Sequence, residues 1–279
     1  MGACEMRTIF IALLLSISCN VFAQSLFDIF SPSTDDAFAA YERGDYQEAF
    51  SIYLSLAEQG NANAQYNLGR MYDEGQGVPE NNAEAMRWYR LAAEQGYDVA
   101  QYNLGRMYTF GLGVPQDYPE AVRWYRLAAE QGNANAQNTL GVIYAFGMDV
   151  PQDYPEAVRW YRLAAEQGHD RAQFNLGRMY DEGQGVPENN SEAVRWYRLA
   201  AEQGYDVAQY NLGRMYDEGQ GVPQNAVRAY VWVSVAVALG LEDVRSALNR
   251  VRNNLTPSQL AQAQELATRC FESDFQDCE

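Results

Sequence analysis

Over residues 61–74 the apolar side chains Ala64, Leu68, Met71 and Tyr72 recur at spacings of three and four, which places them on one face of a helix. The stretch Gly75-Gln76-Gly77-Val78-Pro79 ends that helix, because glycine accepts the left-handed conformation that closes a last turn and proline stops the helix resuming. A second stripe of Ala85, Trp88, Tyr89, Leu91 and Ala92 predicts a helix over residues 82–95, stopped by Gly96. We term these helix A and helix B. Between the stripes the charges also fall in register: Glu84 with Arg87, and Arg90 with Glu94, are i,i+3 and i,i+4 pairs that support an exposed helical face.

The two-helix pattern returns every 36 residues. Ala64, Ala100, Ala136, Ala172 and Ala208 open five copies, and Trp88, Trp124, Trp160, Trp196 and Trp232 stand in their second halves. A period of this length predicts a stacked array in which each helix pair covers the apolar face of its neighbour. Gly69 lies inside helix A, where glycine costs about 1 kcal/mol relative to alanine, and it returns as Gly105, Gly141, Gly177 and Gly213. A cost accepted in every copy predicts close helix approach there.

The full phrase, A-x-x-x-L-G-x-x-Y-x-x-G-x-G-V-P-x-D-x-x-E-A-x-x-W-Y-R-x-A-A-E-Q-G, resembles the Sel1-like repeat family, a relative of the tetratricopeptide repeats, over residues 61–240. The resemblance implies an all-α fold, a right-handed superhelical solenoid of antiparallel helix pairs, with helix A lining the concave surface. Residues 24–60 resemble an N-terminal segment and degenerate capping pair, with a tight turn at Gly44-Asp45-Tyr46. Residues 241–279 resemble a closing pair over 244–252 and 257–272, with Thr256 as N-cap, Pro257 at the first helical position and Gln259 completing a capping box.

Residues 1–23 depart from the repeat. Arg7 precedes an apolar run over 9–17, and Val21 and Ala23 suit the positions that a signal peptidase reads, so the segment reads as a cleavable secretory signal cut after Ala23. Cys19 admits a lipoprotein reading, although Ser16 stands where a lipobox has an aliphatic residue. The longest later apolar stretch, residues 230–239, has ten residues, against about 18 for a membrane span. A soluble periplasmic or secreted protein is therefore expected. Cys270 and Cys278 are expected to pair in an oxidising compartment.

All twenty basic residues are arginine, which excludes a G-K-[ST] phosphate loop, a Schiff-base lysine and an S-x-x-K nucleophile. The net charge of −17 disfavours nucleic acid and anionic membrane surfaces. Two sulfurs and one histidine are too few for a metal site, and no cofactor motif is present. His169, at the turn into a helix A, reads as a variable surface residue and not as a general base. No catalytic constellation assembles, so the expectation is a non-enzymatic scaffold for a peptide or protein partner. Some secreted, cysteine-rich proteins that resemble this repeat bind or weakly hydrolyse β-lactams, but here each repeat lacks their cysteine pair. A cell-wall glycan binder is the other alternative.

The copies are most informative where they differ. Residues 69–108 and 177–216 differ only at Ala83 against Ser191 and Met86 against Val194, whereas the second and third copies diverge. Where other copies carry Asp-Glu-Gly-Gln, these have Thr109-Phe110-Gly111-Leu112 and Ala145-Phe146-Gly147-Met148, and the third also has Val142-Ile143 in place of Arg-Met. Phe110, Leu112, Phe146 and Met148 either form an exposed apolar contact patch or tuck under the loops. With them, helix A offers Tyr66, Asn67, Tyr102, Asn103, Asn138, Phe174, Asn175, Tyr210 and Asn211 as candidate partner-binding residues. Asp149 replaces the loop's second glycine and meets a positive φ at some cost.

Overall fold

The computed structural model describes residues 32–278, so the expected signal, its cleavage after Ala23 and Cys19 lie outside the described residues. Among these residues there are fourteen α-helices, one short 3-10 helix and no strand. They form two compact units, the first ending at Gln95 and the second beginning at Gly96.

The first unit contains α1 (Thr34–Glu42), α2 (Tyr46–Glu58), α3 (Ala62–Glu74) and α4 (Asn82–Glu94), each packed on the next. Its core joins Ala37 and Ala40 of α1, Tyr53 of α2, Leu68 and Met71 of α3 and Trp88 of α4. The second unit continues with α5 (Asp98–Phe110), α6 (Tyr118–Glu130), α7 (Ala134–Phe146), α8 (Tyr154–Glu166), α9 (Asp170–Glu182), α10 (Asn190–Ala201), α11 (Asp206–Glu218) and α12 (Ala226–Ala238). Each of these again packs on the next. A 3-10 helix (Glu242–Val244), α13 (Arg245–Asn253) and α14 (Pro257–Glu272) close the chain, with α14 lying against α12. Helices A are therefore α3, α5, α7, α9 and α11, and helices B are α4, α6, α8, α10 and α12.

The boundaries follow from capping. Asn81, Asp117, Asp153, Asn189 and Asn225 each accept a backbone N–H in the first turn of a helix B. Thr256 and Gln259 form a reciprocal capping box at the start of α14. Helix A ends on a left-handed glycine in all five copies, as at Gly147 with φ 65°. Two residues later Asp149 adopts φ 55°, in the position where a Cβ on Gly185 would lie 2.5 Å from the Tyr154 backbone.

The glycine inside helix A has the packing role expected of it. A Cβ at Gly69 would stand 2.8 Å from the Tyr89 ring, and one at Gly141 only 2.5 Å from the Tyr161 ring. Without that Cβ, the helix B tyrosine lies directly on helix A and is itself buried.

A buried glutamine then links one copy to the next. Gln137 of α7 donates to Ala129 O of α6 at 3.0 Å and accepts from Gln167, just beyond α8, at 2.7 Å. Gln173 repeats this with Ala165 O and Gln203, and Gln65 does so in the first unit with Ala57 O and Gln95. Each staple ties three successive helices with a side chain whose polar atoms are all engaged. At the far end, Gln209 still donates to Ala201 O, but Leu239 stands where the next glutamine belongs and Gln209 Oε1 has no partner.

After α14 the tail folds back. Gln276 donates to Glu202 O, Phe275 lies against Gly204, and the buried Cys270 and Cys278 come together with Cα atoms 4.4 Å apart.

Candidate functional site

The candidate residues separate into three groups. Tyr66, Tyr102 and Phe174 are half-buried, their rings 5.8, 5.7 and 5.8 Å from Tyr89, Tyr125 and Tyr197, so much of each aromatic face is packed inside its own repeat. Phe174 also lies 5.2 Å from Tyr205, while Tyr210 is half-buried. Most of the asparagines already bond within the protein. Asn67 is buried and donates to Asn63, which corrects its selection as an accessible recognition residue: its amide is already used. Asn211 donates to Val207 O, Asn175 donates to Asn138 Oδ1 of the preceding helix A at 3.1 Å, and Asn103 is half-buried.

The third group is open to solvent. Phe110, Phe146 and Met148 are 65, 57 and 45% exposed, and Leu112 is half-buried. The two phenylalanines end α5 and α7, and neither is tucked under its loop. The Arg178 guanidinium from α9 lies 5.7 Å from the Phe146 ring centroid.

His169 differs from its sequence reading as a variable surface residue. Its ring is half-buried as the N-cap of α9: Nδ1 accepts from Ala172 N at 3.3 Å, and Nε2 lies 3.2 Å from Asn135 Oδ1. An accepting Nδ1 requires the neutral ring, with the proton on Nε2 directed at Asn135. Burial lowers its pKa, against a smaller opposing pull from Asp170.

A polar rung, missed from the sequence, runs beside the helix A ends. In the fourth copy Asp181 accepts from Tyr197 Oη at 3.1 Å and from Arg214 of the following helix A. In the fifth, Asp217 accepts from Arg250. In the second copy Thr109 replaces the aspartate, accepts from Tyr125 Oη at 3.0 Å and donates to Gly105 O at 2.9 Å. In the third copy the residue is Ala145, so Tyr161 Oη and Arg178 Nε are buried without a hydrogen-bond partner. Aligning the copies at Asp73, Thr109, Ala145, Asp181 and Asp217 would have exposed the break, but the link to a tyrosine sixteen residues on and an arginine 33 residues on exists only in the fold.

Among the described residues, no group of three or more His, Cys, Asp and Glu is arranged to hold a metal ion, and no helix is long and apolar enough to cross a membrane. Packed helix pairs in tandem, stapled copy to copy, define a helical-repeat scaffold. Six successive segments, residues 39–61, 62–97, 98–133, 134–169, 170–205 and 206–241, match the Sel1 repeat, and the chain belongs to the Sel1 repeat family. The first segment contains α2 and extends the array beyond the five full copies. A Sel1 repeat protein from Oxalobacter formigenes is 33% identical, with a TM-score of 0.73 over 85% of this chain and 100% of that one. A 90-residue stretch is 32% identical to the exopolysaccharide production negative regulator of Rhizobium leguminosarum bv. viciae, spanning 29% of this chain and 32% of the regulator. The chain thus covers about a third of that relative's length. Sel1 repeat proteins mediate protein interactions.

Proposed function

We propose that this protein is a non-catalytic scaffold of the periplasm or extracellular space that holds a peptide or protein partner against its helices A, at the ends of α5 and α7 in the second and third copies. The supporting observation is the exposure of Phe110 and Phe146 at equivalent positions of consecutive copies, where the other copies carry acidic residues. Large apolar side chains left in solvent on an otherwise strongly acidic chain suit a contact that excludes water on binding. The export reading rests on residues 1–23, and the approach of Cys270 to Cys278 agrees with a disulfide formed in an oxidising compartment.

Because both rings are exposed, replacing Phe110 and Phe146 together by Ser should alter stability by no more than about 1 kcal/mol, about 0.5 for each. In-cell crosslinking of the exported protein should identify a partner whose affinity for the double variant, remeasured with purified components, falls at least about tenfold. Unchanged affinity, or a large drop in melting temperature, would place the rings outside the contact or inside the core.

A further inference from the structure

The polar rung is centred on a carboxylate in the fourth and fifth copies and on a threonine hydroxyl in the second, but in the third it has no acceptor side chain. There Tyr161 is fully buried and its hydroxyl has no hydrogen-bond partner, and the buried Arg178 Nε has none either. Their equivalents in the fourth copy, Tyr197 and Arg214, meet on the single carboxylate of Asp181, so Tyr161 and Arg178 flank the corresponding position at Ala145. Burial keeps Tyr161 protonated and therefore a donor. Glu182, on the same helix as Arg178, reaches it only at 3.9 Å, beyond hydrogen-bond range. Two buried donors, one of them charged, call for an anionic acceptor with two oxygens.

The fourth copy shows what fits. Asp181 meets the equivalent tyrosine and the equivalent arginine while its side chain keeps 15% exposure, so a carboxylate in this position has an edge open to solvent. Arg178 is 29% exposed at the third copy, with the Phe146 ring beside it and exposed Met148 following on the same loop.

We propose that the break at Ala145 is a binding site for a single carboxylate carried by an apolar peptide segment. One oxygen accepts from Tyr161 Oη and the other from the Arg178 guanidinium, while Phe146 covers the neighbouring apolar side chain. This rests on the reading of the helix A ends as a partner surface and supplies that surface with a polar anchor. The net charge of −17 repels a highly acidic ligand, which favours one carboxylate in neutral surroundings. A peptide C-terminus and an Asp or Glu side chain share this chemistry.

The test titrates the full chain with N-acetyl-phenylalanine, its amide, and N-acetyl-glutamyl-phenylalanine amide at constant ionic strength, followed by chemical-shift changes at Ala145 and Arg178. The free acid, the glutamyl peptide or both should bind, and the neutral amide should bind at least about tenfold more weakly. Binding by the free acid alone identifies a C-terminus as the natural source; binding by the glutamyl peptide identifies a side chain. Ala145→Asp, which restores the internal carboxylate, should abolish binding and raise the melting temperature, and Arg178→Gln should abolish binding without that rise. If Ala145→Asp does not fold, Ala145→Thr serves instead, since Thr109 already satisfies the equivalent tyrosine. Equal binding of acid and amide, or binding unaffected by Ala145 substitution, overturns the site. A partner that Ala145→Asp captures normally but the Phe110/Phe146 variant loses overturns it while leaving the surface reading intact.

Discussion

His169 holds the first turn of α9 only while its ring is neutral, because Nδ1 must accept from Ala172 N. Burial holds its pKa below the ordinary 6.5, so as pH falls the unfolded chain takes up this proton before the folded one. The cap's contribution is complete above about pH 6.5 and is lost as pH falls from there through the lowered folded value. His169→Asn, the cap found at Asn61 and Asn133, should remove that pH dependence while keeping the cap. Urea denaturation of both proteins across this range checks it, and parallel pH profiles would sink it. Residue roles of this kind were hard to see in the sequence. His169 looks like repeat variation, and Asn67 and Tyr161 look like ordinary repeat positions, until the side chains around them are placed, and partners sixteen or 34 residues away fall outside any single helical stripe.

At the level of the element, legibility was high. Alternating stripes and glycine loops set the helices to within a residue or two, because the same caps and stops recur in every copy. Gly141 tests which of two opposed effects rules a helix A. Alanine there gains about 1 kcal/mol of helix propensity but puts a Cβ 2.5 Å from the Tyr161 ring, and overpacking typically costs about 1–3 kcal/mol. The ring is locked between two helices, so the clash should win and Gly141→Ala should lower the melting temperature. A rise would mean that α7 and α8 slide apart at little cost. What the periodicity did not predict was how copies attach. The glutamines of the A-Q and E-Q-G steps lie outside the apolar stripes, yet Gln137 and Gln167 meet across the repeat as a staple on the buried Gln137.

At the level of the whole chain, the ends need separate treatment from the middle. The tail after α14 is tied to the end of α10 through Gln276 and Phe275, and the Cys270–Cys278 pair holds it there. If the pair is oxidised, closing so short a loop should contribute about 2–3 kcal/mol on the chain-entropy estimate. A reducing agent should lower the melting temperature of the wild-type protein and leave Cys278→Ser unaffected; equal responses would argue that the sulfurs are not bonded. The staples have a different consequence. Their partners stand a constant thirty positions apart in both units, and residues 69–108 and 177–216 are almost the same text. Unequal crossing-over between the matching gene segments would remove or add three whole repeats, and each interior glutamine would still meet another. Gln209 Oε1, left open at the last copy, is where such growth would find an acceptor already in place. The length of this protein is thus a heritable variable that its joints tolerate.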